Sequence, residues 1–288
     1  MMYKSNDSAF LNYKITTLRK FGLLLISALL ITSVACEDVI EIDLDGVEPR
    51  VIIEGTITDQ PGPYYVLITE STDYFNPSDF PPVSGAVVTV SDDSDNTDTF
   101  EEILPGLYAS DSLEGVPGRT YSLSVTIENE TYEAISTMPR PLEIDSLGVE
   151  YQPGDSLIEE DEGYILHCYF QDPADRDDYA RIKIHQNNIL SDNMYLYDGD
   201  WSDGNYFDYN YFWEVYDFAD TVDIAFRTIN HETMIYYFTL MEIVASEDGE
   251  MPHGVPANPA TNLSNGALGY FATYTLWTDS LVMPDGPE

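Results

Sequence analysis

The chain has 288 residues, with 11 basic against 52 acidic side chains and a net charge of −41. A field of that sign repels phosphate backbones, which binders must neutralise with Lys and Arg, so nucleic acid is excluded as a partner. Apolar residues at 43% and 22 tyrosines allow a substantial core and favour strands over helices.

Residues 1–35 read as a secretory leader. Arg19-Lys20 is a basic n-region, and Phe21–Ile31 is an apolar run too short to span a bilayer comfortably. Thr32-Ser-Val-Ala-Cys36 resembles the lipobox of bacterial lipoproteins, with Ser33 standing where Leu is usual. The resemblance implies diacylation of Cys36, cleavage before it and N-acylation of the new terminus; two or more acyl chains hold a protein stably at a membrane. An ordinary cleaved signal with an incidental cysteine is the alternative. The leader takes four bases and one acid with it, so residues 36–288 carry 7 basic and 51 acidic side chains, a net of −44. Residues 36–49 form an acidic lipid-proximal tether, able to reach about 40 Å when extended. Its start, Glu37-Asp-Val-Ile-Glu-Ile-Asp-Leu-Asp45, resembles the signal that sends some lipoproteins to the outer face of the outer membrane; the periplasmic face is the other option.

Residues 50–138 alternate in short runs separated by turns, which predicts a β-sandwich. Val51, Ile53, Gly55 and Ile57 share one face, Tyr64–Thr69 follows Pro61-Gly-Pro63, and Ala86, Val88 and Val90 alternate before a polar tip at Asp92–Asp98. Tyr121, Leu123, Val125 and Ile127 face inward while Ser122, Ser124 and Thr126 face out. Met138-Pro-Arg-Pro141 ends the sheet and marks a domain boundary.

Residues 139–288 predict a second β-rich domain, with strands near 146–151, 163–170, 178–186, 193–198, 206–216 and 221–228. Tyr164, Leu166, Cys168 and Phe170 share a face, so Cys168 reads as core, not nucleophile. Arg181, Lys183 and His185 alternate with Ala180, Ile182 and Ile184, which puts a basic stripe on an outer face. Asn230 can cap a helix near 231–246, with Met234, Ile235, Phe238, Met241 and Val244 as a core-facing stripe. Residues 250–266 read as an ordered loop, and a last strand near 269–277 closes the fold.

Chemistry-bearing motifs are few. Asp198–Asn205 resembles a calcium loop superficially, but Asp203 stands where the EF-hand needs glycine and Tyr209 where it needs glutamate, so a polar turn fits better. His167, His185, His231 and His253 form no zinc spacing, and no nucleophile elbow, P-loop or dinucleotide fingerprint is present. No catalytic residue, cofactor or metal ligand is assigned, and the chain is not expected to be an enzyme. In the aromatic stretch Tyr195–Phe218, Trp201, Tyr209, Tyr211 and Trp213 are candidates for a ligand or partner surface; burial between sheet and helix is the competing reading. Asp-(Ser/Thr)-apolar triplets resemble an O-glycosylation sequon of exported proteins and nominate Ser112, Ser146, Ser156, Thr221 and Ser280.

Several stretches together carry a family resemblance. They are Cys36–Leu44, Pro49–Asp59, Pro82–Val90, Gly115–Leu123, Ile144–Leu147 and, most distinctive, Pro256-Ala-Asn-Pro-Ala-Thr-Asn-Leu-Ser-Asn-Gly-Ala-Leu-Gly-Tyr-Phe271. They look like an uncharacterised outer-membrane lipoprotein family, the domain of unknown function numbered four-two-four-nine. That family has no established activity, and its members are often encoded beside TonB-dependent transporters. The resemblance therefore implies an accessory or substrate-binding partner of such a transporter. Residues 50–138 also resemble the transthyretin-type sandwich of carboxypeptidase regulatory domains. A structural or adhesive envelope lipoprotein is the second reading, and a hydrolase the third.

Overall fold

Alternation builds the first seven strands: β1 (Val51–Thr58), β2 (Tyr64–Glu70), β3 (Val87–Asp92), β4 (Thr97–Leu104), β5 (Leu107–Ser110), β6 (Thr120–Ile127) and β7 (Glu130–Thr137). The computed structural model describes residues 49–72, 80–154, 161–202, 204–210, 212, 214–247 and 258–286. Cys36 and the leader lie outside the described residues. The predicted inward set is buried: Ile53, Ile57, Val88, Val90, Tyr121, Leu123 and Val125 are each at most 1% exposed. Two leaves enclose this core. β4 belongs to both, pairing β3 through Thr97–Phe100 and β5 through Glu101–Leu104, with a register shift between Glu102 and Leu104 where it bends from one to the other. The polar tip after β3 is locked by Asp92, whose carboxylate accepts from the Ser94 and Asn96 amides, the Asn96 side chain and Arg119. Burial alone would raise its pKa, but those bonds and the Arg119 charge hold it below the ordinary value.

The second half adds β8 (Ile144–Gln152), β9 (Gly163–Gln171), β10 (Tyr179–Gln186), β11 (Ile189–Leu190), β12 (Tyr195–Asp198), β13 (Tyr206–Tyr209), β14 (Thr221–Ile229) and β15 (Leu268–Val282), with helix α1 (His231–Glu247) between the last two strands. A three-stranded sheet in the order β13-β9-β8 packs over β10, β14 and the end of β15. Leu166, Cys168, Phe170, Ile182, Ile184, Phe226 and Tyr197 fill the space between them. On either side of the boundary expected at 138–139, Met138 belongs to one core and Leu142 to another. The strand expected merely to close the second half runs through both: Leu268–Tyr274 pair in parallel with β1, and Thr275–Val282 pair antiparallel with β14. Val47–Glu288 is accordingly one compact unit. Gly269 permits the parallel contact, because it has φ +90 and an added Cβ would lie 2.2 Å from the Ile53 carbonyl oxygen.

The distinctive C-terminal motif has a structural task. The Asn262 side-chain amide donates to the Phe271 carbonyl at 2.8 Å and accepts from the Phe271 amide at 3.0 Å, so it stands in for a neighbouring strand. Ser264 exchanges bonds with Glu133 of β7, and Leu263 enters the first core. This loop thereby seals the sandwich between β15 and β7.

Asn230 caps α1 as its sequence predicts, accepting from the Thr233 amide at 3.0 Å. The expected core-facing stripe is corrected. Ile235, Phe238 and Val244 are exposed, and the helix is held by Met234 and Tyr237, with Tyr236 and Leu240 beside them. Apolar residues surround this helix on most sides, so spacing alone does not select the buried face. Its two tyrosines decide it, and the Tyr237 hydroxyl donates to that of Tyr270. Among the described residues no helix is long and apolar enough to cross a membrane.

Candidate functional site

The aromatic stretch was expected to hold one strand over 206–216, its rings either turned outward as a ligand or partner surface or buried between sheet and helix. The strand ends at Tyr209, and the chain then turns into the core. Phe212 is 0% exposed, and Tyr216 returns to bridge Tyr164. Tyr209 is 4% exposed, packed edge-on against Phe212 at 4.9 Å and Tyr197 at 6.3 Å. It is a core residue and not part of a ligand surface. The period of two fails because Phe212, of the opposite parity to Tyr209, is also swallowed by the core. Trp201 ends a 3-10 turn, Gly199–Trp201, whose cap is Asp198 accepting from the Asp200 amide. The described residues between β12 and β13 thus begin as a turn, with the Ser202 amide donating to the Gly199 carbonyl, and Asp203 lies outside the described residues. Tyr211 and Trp213 lie outside the described residues.

Rings do reach the surface one strand away. With Leu166, Cys168 and Phe170 turned inward, the other face of β9 presents Ile165, His167 and Tyr169. Register sets Tyr169 opposite Asp208 and Ser146, and His167 opposite Gly148. The missing side chain at Gly148 makes room for the Tyr169 ring, since an added Cβ would come within 2.9 Å of it. Three rings then stand nearly parallel: His167 and Tyr169 at 5.7 Å and 14°, Tyr169 and Tyr206 at 6.5 Å and 7°. The outermost, Tyr206, is 58% exposed.

Carboxylates border this row. His167 is buried, with Nδ1 2.8 Å from Asp208 Oδ1 and Nε2 3.5 Å from Glu150 Oε2. Asp208 fixes the imidazole through Nδ1, while the buried Nε2 has Glu150 only at ion-pair distance and no hydrogen-bond partner among the described residues. A register shift in β8 between Ile144 and Ser146 accompanies a bond from the Tyr206 hydroxyl to Asp145. Desolvation and then Asp145 push that hydroxyl's pKa up, keeping it a donor. The arrangement offers an open aromatic face beside hydrogen-bond acceptors, which suits a ligand with an apolar ring face and a hydroxylated rim. Outward parity on β9 is the sequence signal for this site, and the many tyrosines of the 195–218 stretch mask it.

Cys168, directly beneath, is 0% exposed, and burial followed by the Asp208 charge pushes its thiol up to about 12. Such a thiol is a core filler and not a nucleophile. Of the nominated glycosylation positions, Ser112, Ser146 and Ser280 are exposed, Thr221 is half-buried, and Ser156 lies outside the described residues.

Comparison with known proteins gives one family. The model of the family described as Domain of unknown function (DUF4249) matches residues 37–278. No curated protein matches the chain.

Proposed function

This chain belongs to the DUF4249 family, and from that premise we propose that it is a non-enzymatic outer-membrane lipoprotein, anchored through Cys36, that binds substrate for a TonB-dependent transporter. The observation that carries the binding role is the row His167, Tyr169 and Tyr206, three nearly parallel rings ending on an exposed tyrosine and flanked by Asp145, Glu150 and Asp208. Stacking on Tyr206 supplies contact area, and the carboxylates accept from hydroxyls, so a carbohydrate is the ligand class this face fits. The leader and the Cys36 motif support the anchor, and the family's association with transporters supports the partner.

The experiment has two arms. Native outer membrane is solubilised and the chain pulled down; recovery of a TonB-dependent transporter is expected. Purified protein is then titrated with neutral oligosaccharides, and Tyr206→Ala is expected to weaken binding about fivefold, since one ring contact contributes on the order of 1 kcal/mol. A membrane pull-down without any transporter, combined with surface exposure, would favour a structural or adhesive envelope protein. Hydrolysis of the oligosaccharides would overturn the non-enzymatic reading.

A further inference from the structure

The two ends of the first sandwich are built from different residues. At one end the connections after β1, β3 and β5 expose Gln60, Asp93, Asp95, Asp111 and Glu114, a polar and acidic rim. At the other end two connections are apolar at their tips. Phe80 is 53% exposed, Ile103 52% and Leu104 62%, and Pro81, Pro82 and Pro105 are exposed beside them. Both segments flank the end of β2: the Glu70 amide donates to the Pro81 carbonyl at 2.9 Å, and the Ile68 amide to the Gly106 carbonyl at 2.8 Å. They also touch one another, since Gly106 has φ +74 and an added Cβ would lie 2.8 Å from Pro82 Cβ.

The apolar end is also where the chain enters the sandwich. The Arg50 amide donates to Ser71 Oγ at 2.9 Å and the Ser71 amide to the Arg50 carbonyl at 2.8 Å, so β1 begins beside the end of β2. Thirteen residues separate Arg50 from Cys36 in the sequence. β15 runs parallel to β1 and passes the polar rim, where Tyr274 pairs with Thr58, before it joins β14. The second half therefore continues from the polar end, away from the apolar tips. Single exposed apolar side chains need no explanation, but these stand together on two adjoining connections. Their backbone is also cheap to strip of water. The prolines carry no N–H, and Glu102 accepts from the Gly85 and Gly106 amides at 3.0 Å each.

We infer that this end of the sandwich is a bilayer-docking surface, with Phe80, Ile103 and Leu104 dipping into the interface of a zwitterionic membrane. The inference rests on the anchor proposed at Cys36, which brings this end to the lipid first. Acyl chains fix how far the fold can stand from the bilayer but not which side of it faces the lipid. The apolar tips supply that orientation, and they turn the second half, with its row of rings, toward solvent. Charge selects the kind of lipid. Glu70, Glu101 and Glu128 lie at or near this end, so anionic headgroups are repelled and zwitterionic ones are not.

The test uses the acylated chain purified from membranes and reconstituted in phosphatidylcholine vesicles, with and without bromine on the acyl chains. Leu104→Trp and, from the other segment, Phe80→Trp each replace an exposed side chain at the docking end. The fluorescence that each adds over the parent is expected to fall at least about twofold in brominated lipid, since side chains about 5–10 Å into the interface reach the bromines. Ile189→Trp, on β11 in the second half and 73% exposed, should add fluorescence that bromine leaves unchanged. Mixing in phosphatidylglycerol should restore part of the fluorescence lost at the docking end. Radiolabelled palmitate is followed in the same preparations. A labelled chain in which both docking-end substitutions stay bright would overturn the docking and leave the anchor standing. Equal quenching of Ile189→Trp would overturn it too, because the chain would then lie on lipid without a preferred end. An unlabelled chain would remove the anchor, and the docking with it.

Discussion

The first sandwich and the second half of the chain treat the outward side of their sheets differently. On β6 the outward residues are short hydroxyls, and the threonines at its two ends pair with β7: Thr120 with Thr137 at 2.9 Å, Thr126 with Thr131 at 3.1 Å. Between them β7 turns out Glu133 and Ile135, and no ring or cation stands on this face of the two strands. On β9 and β13 the outward residues include His167, Tyr169, Tyr206 and Asp208, and on β10 and β14 they include Arg181, Lys183, His185 and Arg227 along with Asp223. Those faces keep an exposed ring in one case and unpaired cations in the other. A sheet face without such groups supports the fold, and a sheet face that presents them is where recognition belongs.

The largest test asks whether this division is also an energetic one. Phe170 is 0% exposed in the second core and packs at 5.0 Å on Tyr197 and 5.6 Å on Phe226. Phe170→Ala is expected to cost about 3–5 kcal/mol, read from urea unfolding. Because β15 gives Phe271 to the first core and packs Trp277 and Leu281 against the second, both halves should melt together in one transition shifted to lower urea. Two transitions, with the first sandwich unmoved, would break the continuity of β15 as an explanation.

The sequence made the first half readable almost strand by strand, because one face is apolar and the other is not. The second half was readable in position but less so in facing. On β9 the inward set Leu166, Cys168 and Phe170 was plain, and the outward set followed from it by parity. Beyond Tyr209 parity fails, since the chain leaves the sheet and folds Phe212 and Tyr216 into the core. In α1 the all-round apolar character concealed which side packs. The parallel pairing of β1 with β15 joins residues more than 200 positions apart, and no local pattern encodes it. The basic stripe was visible as alternation on β10, but its completion by Arg227 needed the register of β14.

A paired substitution sharpens the correction at the aromatic stretch. Tyr209→Ala should cost about 3 kcal/mol or more, as large-to-small changes in a packed core do. Tyr206→Ala, three residues earlier but 58% exposed, should fall within about 0.5 kcal/mol of the parent. Equal losses for the two would mean that Tyr206 is held in the fold as firmly as Tyr209, and the ring-bearing face would lose its standing as a free surface.

The smallest expected effect lies on the cationic face and is a matter of sign. Burial first, then the charges of Arg227 and Arg181, lower the Lys183 pKa to about 8 from an ordinary value of 10.5. Facing it are Arg181 and His185 on β10, Arg227 and Asp223 on β14, Tyr274 on β15 and Tyr237 on α1. Below pH 8 the amine is charged in both folded and unfolded chains, and the folded chain carries the full electrostatic cost. Between pH 8 and 10.5 the folded chain has released the proton while the unfolded chain still holds it, so this residue's contribution to stability rises with pH across that window. Other groups titrate there too, the raised tyrosines among them, so the comparison is with Lys183→Met. Urea midpoints measured at pH 7 and pH 9.5 should show the variant ahead of the parent at pH 7 and the gap closing at pH 9.5. A gap that stays constant across the window would mean that the Lys183 charge carries no cost in the folded chain.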